Sequence, residues 1–226
     1  MALMKAKARQ TSAISVGSEG DDVYLRGLRD GTILTAEWIM AQTIRGRLMC
    51  AQAGLLSTAI SWTATATNDQ TKPAVFIDVP SGTTIFPLEI NLYMEAFGTN
   101  AQFECEAVTG TGGVSAGGTA VTITNMRSDA PYKSNCTATS DITGGTACTA
   151  NVNAFWRSGK QFAITKTAES ATVASWDPNQ FIWRYTDGLY CPIVVGHGQL
   201  MVTQGSQAGT GFCKVIFIEV PTSEVT

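Results

Sequence analysis

The feature that most constrains this chain is a strict alternation of apolar and polar residues between positions 86 and 96. Its apolar side chains recur at every second position: Phe86, Leu88, Ile90, Leu92, Met94 and Ala96. Glu89, Asn91, Tyr93 and Glu95 lie between them. Side chains on a helix repeat every ~3.6 residues and cannot place the first set on one face, whereas a strand does. We therefore predict a strand with one face in a core.

Shorter alternating stretches predict further strands of the same kind. They are 58–66 with Ile60, Trp62, Ala64 and Ala66, 148–157 with Cys148, Ala150, Val152, Ala154 and Trp156, and 181–185 with Phe181, Trp183 and Tyr185. Composition adds strands at 73–79, 101–108, 119–125, 161–167, 199–204 and 212–220. The last of these is apolar on both faces, which is typical of a strand in the centre of a sheet.

These short strands, separated by Gly, Asn, Asp and Pro, predict an all-β fold. Helices do not alternate with the strands as a parallel sheet requires, so we expect an antiparallel two-sheet sandwich. One short helix is predicted near 35–42, with Thr35 as its N-cap. The same residues are also compatible with a buried strand.

The chain divides into an N-terminal arm, 1–22, and a single sandwich domain, 23–226. The chain has 226 residues, 44% of them apolar, which is enough for a domain that forms its own core. The arm carries Lys5, Lys7 and Arg9 among small polar residues, and we interpret it as an extended strap to a neighbouring subunit. Contact between these cations and nucleic acid is the less favoured alternative, since three charges neutralise few phosphates.

Charge and hydropathy exclude several other partners. A net charge of −3 does not favour nucleic-acid binding by the domain as a whole. We find no signal peptide and no run of ~18 apolar residues, so we expect no membrane partner.

The residues that usually carry catalysis or bind metals form no such pattern. His197, the one histidine, lies between two glycines, and this Gly-His-Gly sequence predicts a turn. The six cysteines lack the two-residue spacing of zinc sites. Glu104 and Glu106 share a strand face and, with Asp187, are the acids a β-barrel enzyme would use, but we expect them to be solvated. We predict no enzymatic activity, no metal and no cofactor.

Two loops remain as candidate features. Cys136 and Cys148 flank a stretch rich in Ser, Thr and Gly, and a disulfide between them would stabilise the fold by about 3 kcal/mol. Cys148 also fits a small buried hydrophobic residue, so the bridge stays an open alternative. Residues 110–118 are rich in Gly, yet a strand follows them where a phosphate site needs a helix. We predict a mobile hairpin loop there.

Several stretches carry a resemblance to a known family. They are Gly27-Leu28-Arg29-Asp30-Gly31-Thr32, Trp38-Ile39, Gly46-Arg47, Ile77-Asp78-Val79-Pro80-Ser81-Gly82-Thr83-Thr84-Ile85, Pro87-Leu88-Glu89-Ile90, Pro192 to Gly198, and Phe217-Ile218-Glu219-Val220-Pro221. They resemble parts of single jelly-roll virion structural proteins, capsid or capsid-decorating, of bacteriophages and related environmental viruses. The resemblance implies a jelly-roll sandwich that assembles with copies of itself and other virion proteins in the host cytoplasm and resides in the virion. It carries over no catalytic residue.

An alternative function of a different class is a carbohydrate- or receptor-binding β-sandwich. Exposed aromatic side chains would serve as stacking platforms for a sugar. The candidates are Tyr93 and Trp176, and the pair Trp183 and Tyr185, which at strand spacing also fit a core.

Overall fold

The computed structural model describes residues 38–55, 57–63, 69–97, 102–161, 180–185, 191–205 and 209–225. Several predictions lie outside these residues: the arm 1–22 with Lys5, Lys7 and Arg9, the cap Thr35, the strand positions 162–167, Trp176 and Asp187. In the described part, the prediction of an antiparallel two-sheet sandwich with one short helix is confirmed.

The described chain begins with a helix and continues as a long series of strands. The helix is α1 (Trp38–Ile44), and a 3-10 turn covers Thr222–Glu224. The first strands are β1 (Leu48–Ala53), β2 (Ile60–Trp62), β3 (Val75–Val79), β4 (Thr83–Phe97), β5 (Gln102–Thr111), β6 (Val114–Ala116), β7 (Thr119–Val121) and β8 (Ile123–Asn125). The remaining strands are β9 (Thr137–Ser140), β10 (Gly144–Thr146), β11 (Ala150–Gln161), β12 (Gln180–Arg184), β13 (Val194–Val195), β14 (Gly198–Gly205) and β15 (Gly209–Pro221).

Two large antiparallel sheets form the layers of the sandwich. The seven-stranded sheet has the order β12-β4-β15-β1-β8, with β13 also paired to β4 and β2 also paired to β15. The six-stranded sheet has the order β11-β5-β14-β3-β9-β7, and β6 and β10 form a separate two-stranded ribbon. The predicted central position of the strand at 212–220 is confirmed, because β15 lies between β4 and β1.

The order of the longer strands shows how the chain is wound. Eight strands have five or more residues: β1, β3, β4, β5, β11, β12, β14 and β15. Numbered one to eight in that order, they form a 1-8-3-6 row in one sheet and a 2-7-4-5 row in the other. In this order strand 1 pairs with 8, 2 with 7, 3 with 6, and 4 with 5. The same pairs form when one long hairpin is rolled up into two layers. This order is compatible with a jelly roll, which has eight strands in two Greek keys.

Two clusters of buried apolar residues lie on opposite faces of the six-stranded sheet. Leu200 and Val202 of β14 belong to the larger cluster, between the two sheets. Met201, between them in sequence, belongs to a smaller cluster with Phe76, Ile142 and Cys148. Since successive side chains of a strand point to opposite faces, the smaller cluster lies on the outer face of this sheet.

In β4, the predicted alternation is only partly correct. Ile90, Leu92 and Met94 are completely buried, as predicted. The register then shifts, because Ile216 pairs with Glu89 and Phe217 with Pro87, which leaves Leu88 as an extra residue. A bulge of this kind reverses the faces of the residues that precede it. Ile85 is therefore buried in the core, whereas Phe86 and Leu88 are only half-buried.

Three other predicted elements need correction. The apolar face expected for 148–157 is correct only for the buried Cys148 and for Trp156, which packs against the core. It is wrong for Ala150, Val152 and Ala154, which are exposed on β11, an edge strand with two register shifts. The strand predicted at 119–125 divides into β7 and β8, which belong to different sheets. The segment at 35–42 is a helix and not a strand, and α1 extends two residues past the predicted end, to Ile44.

The alternation predicted for 181–185 is confirmed. Phe181 is buried, Trp183 and Tyr185 are half-buried, and Ile182 and Arg184 between them are exposed. The alternation of Ile60, Ser61 and Trp62 in β2 is confirmed as well.

Candidate functional site

The helix α1 and one end of the seven-stranded sheet enclose an open groove of about 750 Å³. Its lining residues are mostly apolar: Trp38, Ile39, Phe86, Leu88, Tyr185, Cys191, Ile193, Glu224 and Val225. We call this feature the apolar groove. Sites for small molecules or partner chains are commonly concave and apolar, so the groove is a candidate binding surface.

The bulge in β4 supplies one wall of the apolar groove. It turns Phe86 and Leu88 away from the core, onto the outer face of the sheet. The ring of Trp38, at the start of α1, meets the ring of Phe86 edge to face, with 4.8 Å between centroids. Ile218, paired with Phe86 on the neighbouring strand, is completely buried. One extra residue in β4 thus creates an apolar outer face against which α1 packs.

The one charged residue of the groove lining is held in ion pairs. The carboxylate of Glu224 lies 3.8 Å from Nη1 of Arg45 and 3.5 Å from Nη2 of Arg47. The guanidinium of Arg47 also lies 4.4 Å from the centroid of the Tyr132 ring. Because its charge is compensated in this way, Glu224 does not make the groove a site for cations.

The thiol in the groove is not an activated nucleophile. Burial raises the pKa of Cys191 to about 11. Its Sγ donates a hydrogen bond to the carbonyl of Pro87, at 3.4 Å. A thiol with such a pKa is protonated at neutral pH, and the thiolate is the reactive form. The groove therefore favours binding over covalent chemistry.

The helix beside the groove exposes apolar side chains and buries a polar one. Met40 and Ile44, four residues apart and therefore on the same stripe of α1, are 55% and 48% exposed. Gln42 is only 4% exposed, and its Oε1 has no hydrogen-bond partner. A helix on the surface of a monomeric protein usually buries its apolar side chains and exposes its polar ones.

The structure confirms the turn predicted at the histidine. His197 is exposed in a bend between β13 and β14, and its carbonyl accepts a hydrogen bond from Nε2 of Gln199 at 3.3 Å. Across the residues that the structure describes, no group of three or more His, Cys, Asp or Glu side chains is arranged to hold a metal ion.

Cys136 and Cys148 are both free thiols in the structure, so the candidate disulfide is not formed there. Cys136 belongs to the larger cluster, inside the sandwich, and Cys148 to the smaller one, on the outer face of the six-stranded sheet. Burial raises the pKa of each thiol. Both thus fit the alternative of small buried hydrophobic residues.

The mobile hairpin loop that we predicted for the Gly-rich segment 110–118 is wrong as to the hairpin. The middle of the segment is β6, which pairs with β10 in the separate ribbon. Gly110 lies so close to the smaller cluster that a Cβ there would be 2.6 Å from Cβ of Cys148. The glycines therefore allow the segment to pack against the outer face of the six-stranded sheet.

Glu104 and Glu106, both predicted to be solvated, differ in how deeply they are buried. Glu106 is 3% exposed, and one of its oxygens accepts a hydrogen bond from Nη2 of Arg157 at 2.7 Å. Glu104 is half-buried. The expectation was therefore wrong for Glu106, whose carboxylate is fixed by an arginine.

The aromatic side chains that we considered as sugar platforms, where the structure describes them, pack against other residues of the chain. Tyr93 stacks on Phe212, with 4.8 Å between ring centroids and 13° between ring planes. Trp183 meets Phe155 edge to face at 5.0 Å. Tyr185 lines the apolar groove. The sequence left Tyr185 open between a sugar platform and a core, and the structure shows it half-buried at the wall of this groove.

The apolar groove itself was not predicted from the sequence. Phe86 and Leu88 carried a signal, but it was assigned to the core because the bulge is not visible in the alternation. A further signal for an apolar surface lies in α1. Trp38, Ile39 and Met40 are consecutive apolar residues, so a helix places them on different sides and cannot bury all three.

Comparisons with known proteins add no relative: no family model, no curated protein and no solved structure matches this chain. Among the described residues, no helix has the length and apolar character needed to cross a membrane.

Proposed function

We propose that this chain is a structural virion protein, a single jelly-roll subunit that forms or decorates the capsid of a bacteriophage or related virus. It acts by associating with copies of itself and with other virion proteins, and it resides in the virion after assembly in the host cytoplasm. The observation that carries the proposal is the strand order, 1-8-3-6 against 2-7-4-5 in the two sheets.

This winding supports the proposal because it makes a two-layered slab whose two longest strands, β4 and β15, are interior. β15 is hydrogen-bonded to β4 over Thr83–Phe97 on one side and to β1 on the other. A slab of this kind offers flat faces and strand edges to its neighbours, and symmetric assemblies use such self-complementary surfaces.

The polar groups of the described residues support a structural and non-enzymatic function. The buried Glu219, 4% exposed, accepts hydrogen bonds from the hydroxyl of Ser134 and from the backbone amide of Asn135. Glu106 is held by Arg157. Each carboxylate thus connects parts of the chain that are far apart in sequence.

The N-terminal residues complete the proposal. Lys5, Lys7 and Arg9 lie outside the described residues, and we assign residues 1–22 the function of a strap to a neighbouring subunit. Contact between these cations and packaged nucleic acid remains the secondary assignment.

Light scattering after size-exclusion chromatography tests this function on the full chain. Over a concentration series we expect a defined multiple of the 23.9 kDa chain mass, or a particle. A mass of one chain at every concentration, up to the highest that stays in solution, contradicts the proposal.

A further inference from the structure

We propose that α1 and the apolar groove form a two-fold self-association surface. The stripe of Met40 and Ile44 on one copy packs into the groove of a second copy, and the second copy does the same in return. This inference rests on the proposed function, since it names the surface through which copies associate.

The first argument is the composition of α1. The helix contains no charged residue, and its exposed side chains are Trp38, Met40 and Ile44, all apolar. Gln42 is buried on the side of α1 that faces the rest of the protein, where a surface helix of a monomer usually has an apolar residue. A helix that presents its apolar side chains to the outside is explained when a partner covers them.

The second argument is shape. The groove is concave, and the exposed stripe of α1 is a convex ridge beside it, because Trp38 of the same helix forms part of the groove wall. In a two-fold interface the same patch of both copies is in contact, so the patch must be complementary in shape to itself. A ridge and a groove of matching apolar chemistry on one surface satisfy this requirement and identify a second copy of this chain as the occupant.

The third argument is area. Six large apolar side chains with exposed fractions between 41% and 55% lie on α1, on the segment leading into β13 and β14, and in the C-terminal turn: Trp38, Met40, Ile44, Ile193, Val195 and Val225. An aromatic side chain such as that of Trp38 has roughly 150–250 Å² to bury and an aliphatic one less, so these half-exposed six offer a few hundred Å². A stable interface buries ~800 Å² per partner, and the walls of the groove supply more apolar area.

The fourth argument is charge. Association buries Glu224, whose carboxylate is already near Arg45 and Arg47 within the same copy. Burial of an unpaired carboxylate would oppose association, and this surface avoids that cost.

Substitution of the ridge tests the inference. Met40→Glu places a carboxylate in the contact, and we expect it to weaken self-association by roughly tenfold or more in a concentration series followed by light scattering. Val114→Glu is the matched control, because Val114 is 59% exposed on β6, away from the groove, and we expect the wild-type mass for it. Circular dichroism and thermal melting identify variants that fail to fold, and Ile44→Glu serves as the second ridge variant.

Disulfide cross-linking gives a direct distance test. Met40→Cys introduces a thiol on the ridge, and Cys191 is already in the groove. After a variant grown on ¹⁴N is mixed with the same variant grown on ¹⁵N and oxidised, peptide mapping should show 40–191 links that join chains of different isotope. Val114→Cys should give no link to Cys191.

The outcomes separate this inference from the proposed function. If the wild type associates while Met40→Glu associates equally well, or if the 40–191 links occur only within one chain, the surface is wrong and the function stands. If the wild type is a single chain at every concentration, both are wrong.

Discussion

At the scale of single residues, Glu89 shows how the outer face of the seven-stranded sheet is held together. Its carboxylate lies 2.9 Å from Nε of Arg184 on β12 and 3.0 Å from Nζ of Lys214 on β15. Burial alone would raise its pKa, but the hydrogen bonds and charges of Lys214 and Arg184 outweigh burial and lower it. The carboxylate thus connects three adjacent strands, β12, β4 and β15.

A pH series with Glu89→Gln tests this contact. The folded pKa lies below the usual value near 4.5, so the ionised carboxylate stabilises the fold above that pH and the stabilisation is lost as the pH falls through the lowered pKa. In urea unfolding we expect Glu89→Gln to cost about 0.5–1 kcal/mol at neutral pH and clearly less near pH 3. Glu95→Gln, an exposed glutamate on the same strand, is the control and should show little difference at either pH. A cost for Glu89→Gln that is the same at both pH values contradicts the ion pairs.

The cysteines give a second prediction at this scale. Burial raises the pKa of Cys105 to about 12 and also raises that of Cys213, which is completely buried. Iodoacetamide should therefore label the half-buried Cys50, which lies outside the apolar groove, before the four buried thiols. In denaturant without reductant, all six should react, as counted by mass spectrometry. Recovery of Cys136 and Cys148 as a linked peptide would contradict the structure.

At the scale of elements, local sequence predicts strands better than it predicts their register. The alternation of Phe181, Ile182 and Trp183 was sufficient for β12, because that strand pairs with β4 without interruption. In β4 the alternation continues unchanged through Leu88, yet the pairing with β15 inserts a bulge there. A register is decided by the partner strand, which lies more than 100 residues away in the chain. The apolar groove depends on this bulge, so local sequence could not reveal it.

A glycine pair tests how the Gly-rich segment packs. A Cβ at Gly110 would lie 2.6 Å from Cβ of Cys148 and 2.9 Å from its Sγ, whereas a Cβ at Gly144 meets nothing within 4 Å. We expect Gly110→Ala to destabilise the fold by about 1–3 kcal/mol, because the smaller cluster must move. Gly144→Ala should stay within ~0.5 kcal/mol of the wild type. Urea unfolding measures both, and equal stability of the two variants would contradict the close packing of this segment on the sheet.

At the scale of the whole molecule, the sequence was sufficient for the two-sheet sandwich and insufficient for its winding. Short strands joined by turn residues, without the alternating helices that a parallel sheet requires, favour an antiparallel sandwich. The 1-8-3-6 and 2-7-4-5 order depends on contacts such as that of β1 with β15, between strands at the two ends of the domain. No local pattern encodes a contact of that separation.

The central claim is that this wound sandwich is built to associate with itself. Electron micrographs of the purified full chain, taken across a concentration series, test it most directly. We predict uniform closed rings or shells built from pairs of copies, with α1 of each copy against the apolar groove of its pair mate and the pairs joined through other surfaces. A field of single, unassociated molecules at every concentration would contradict the account.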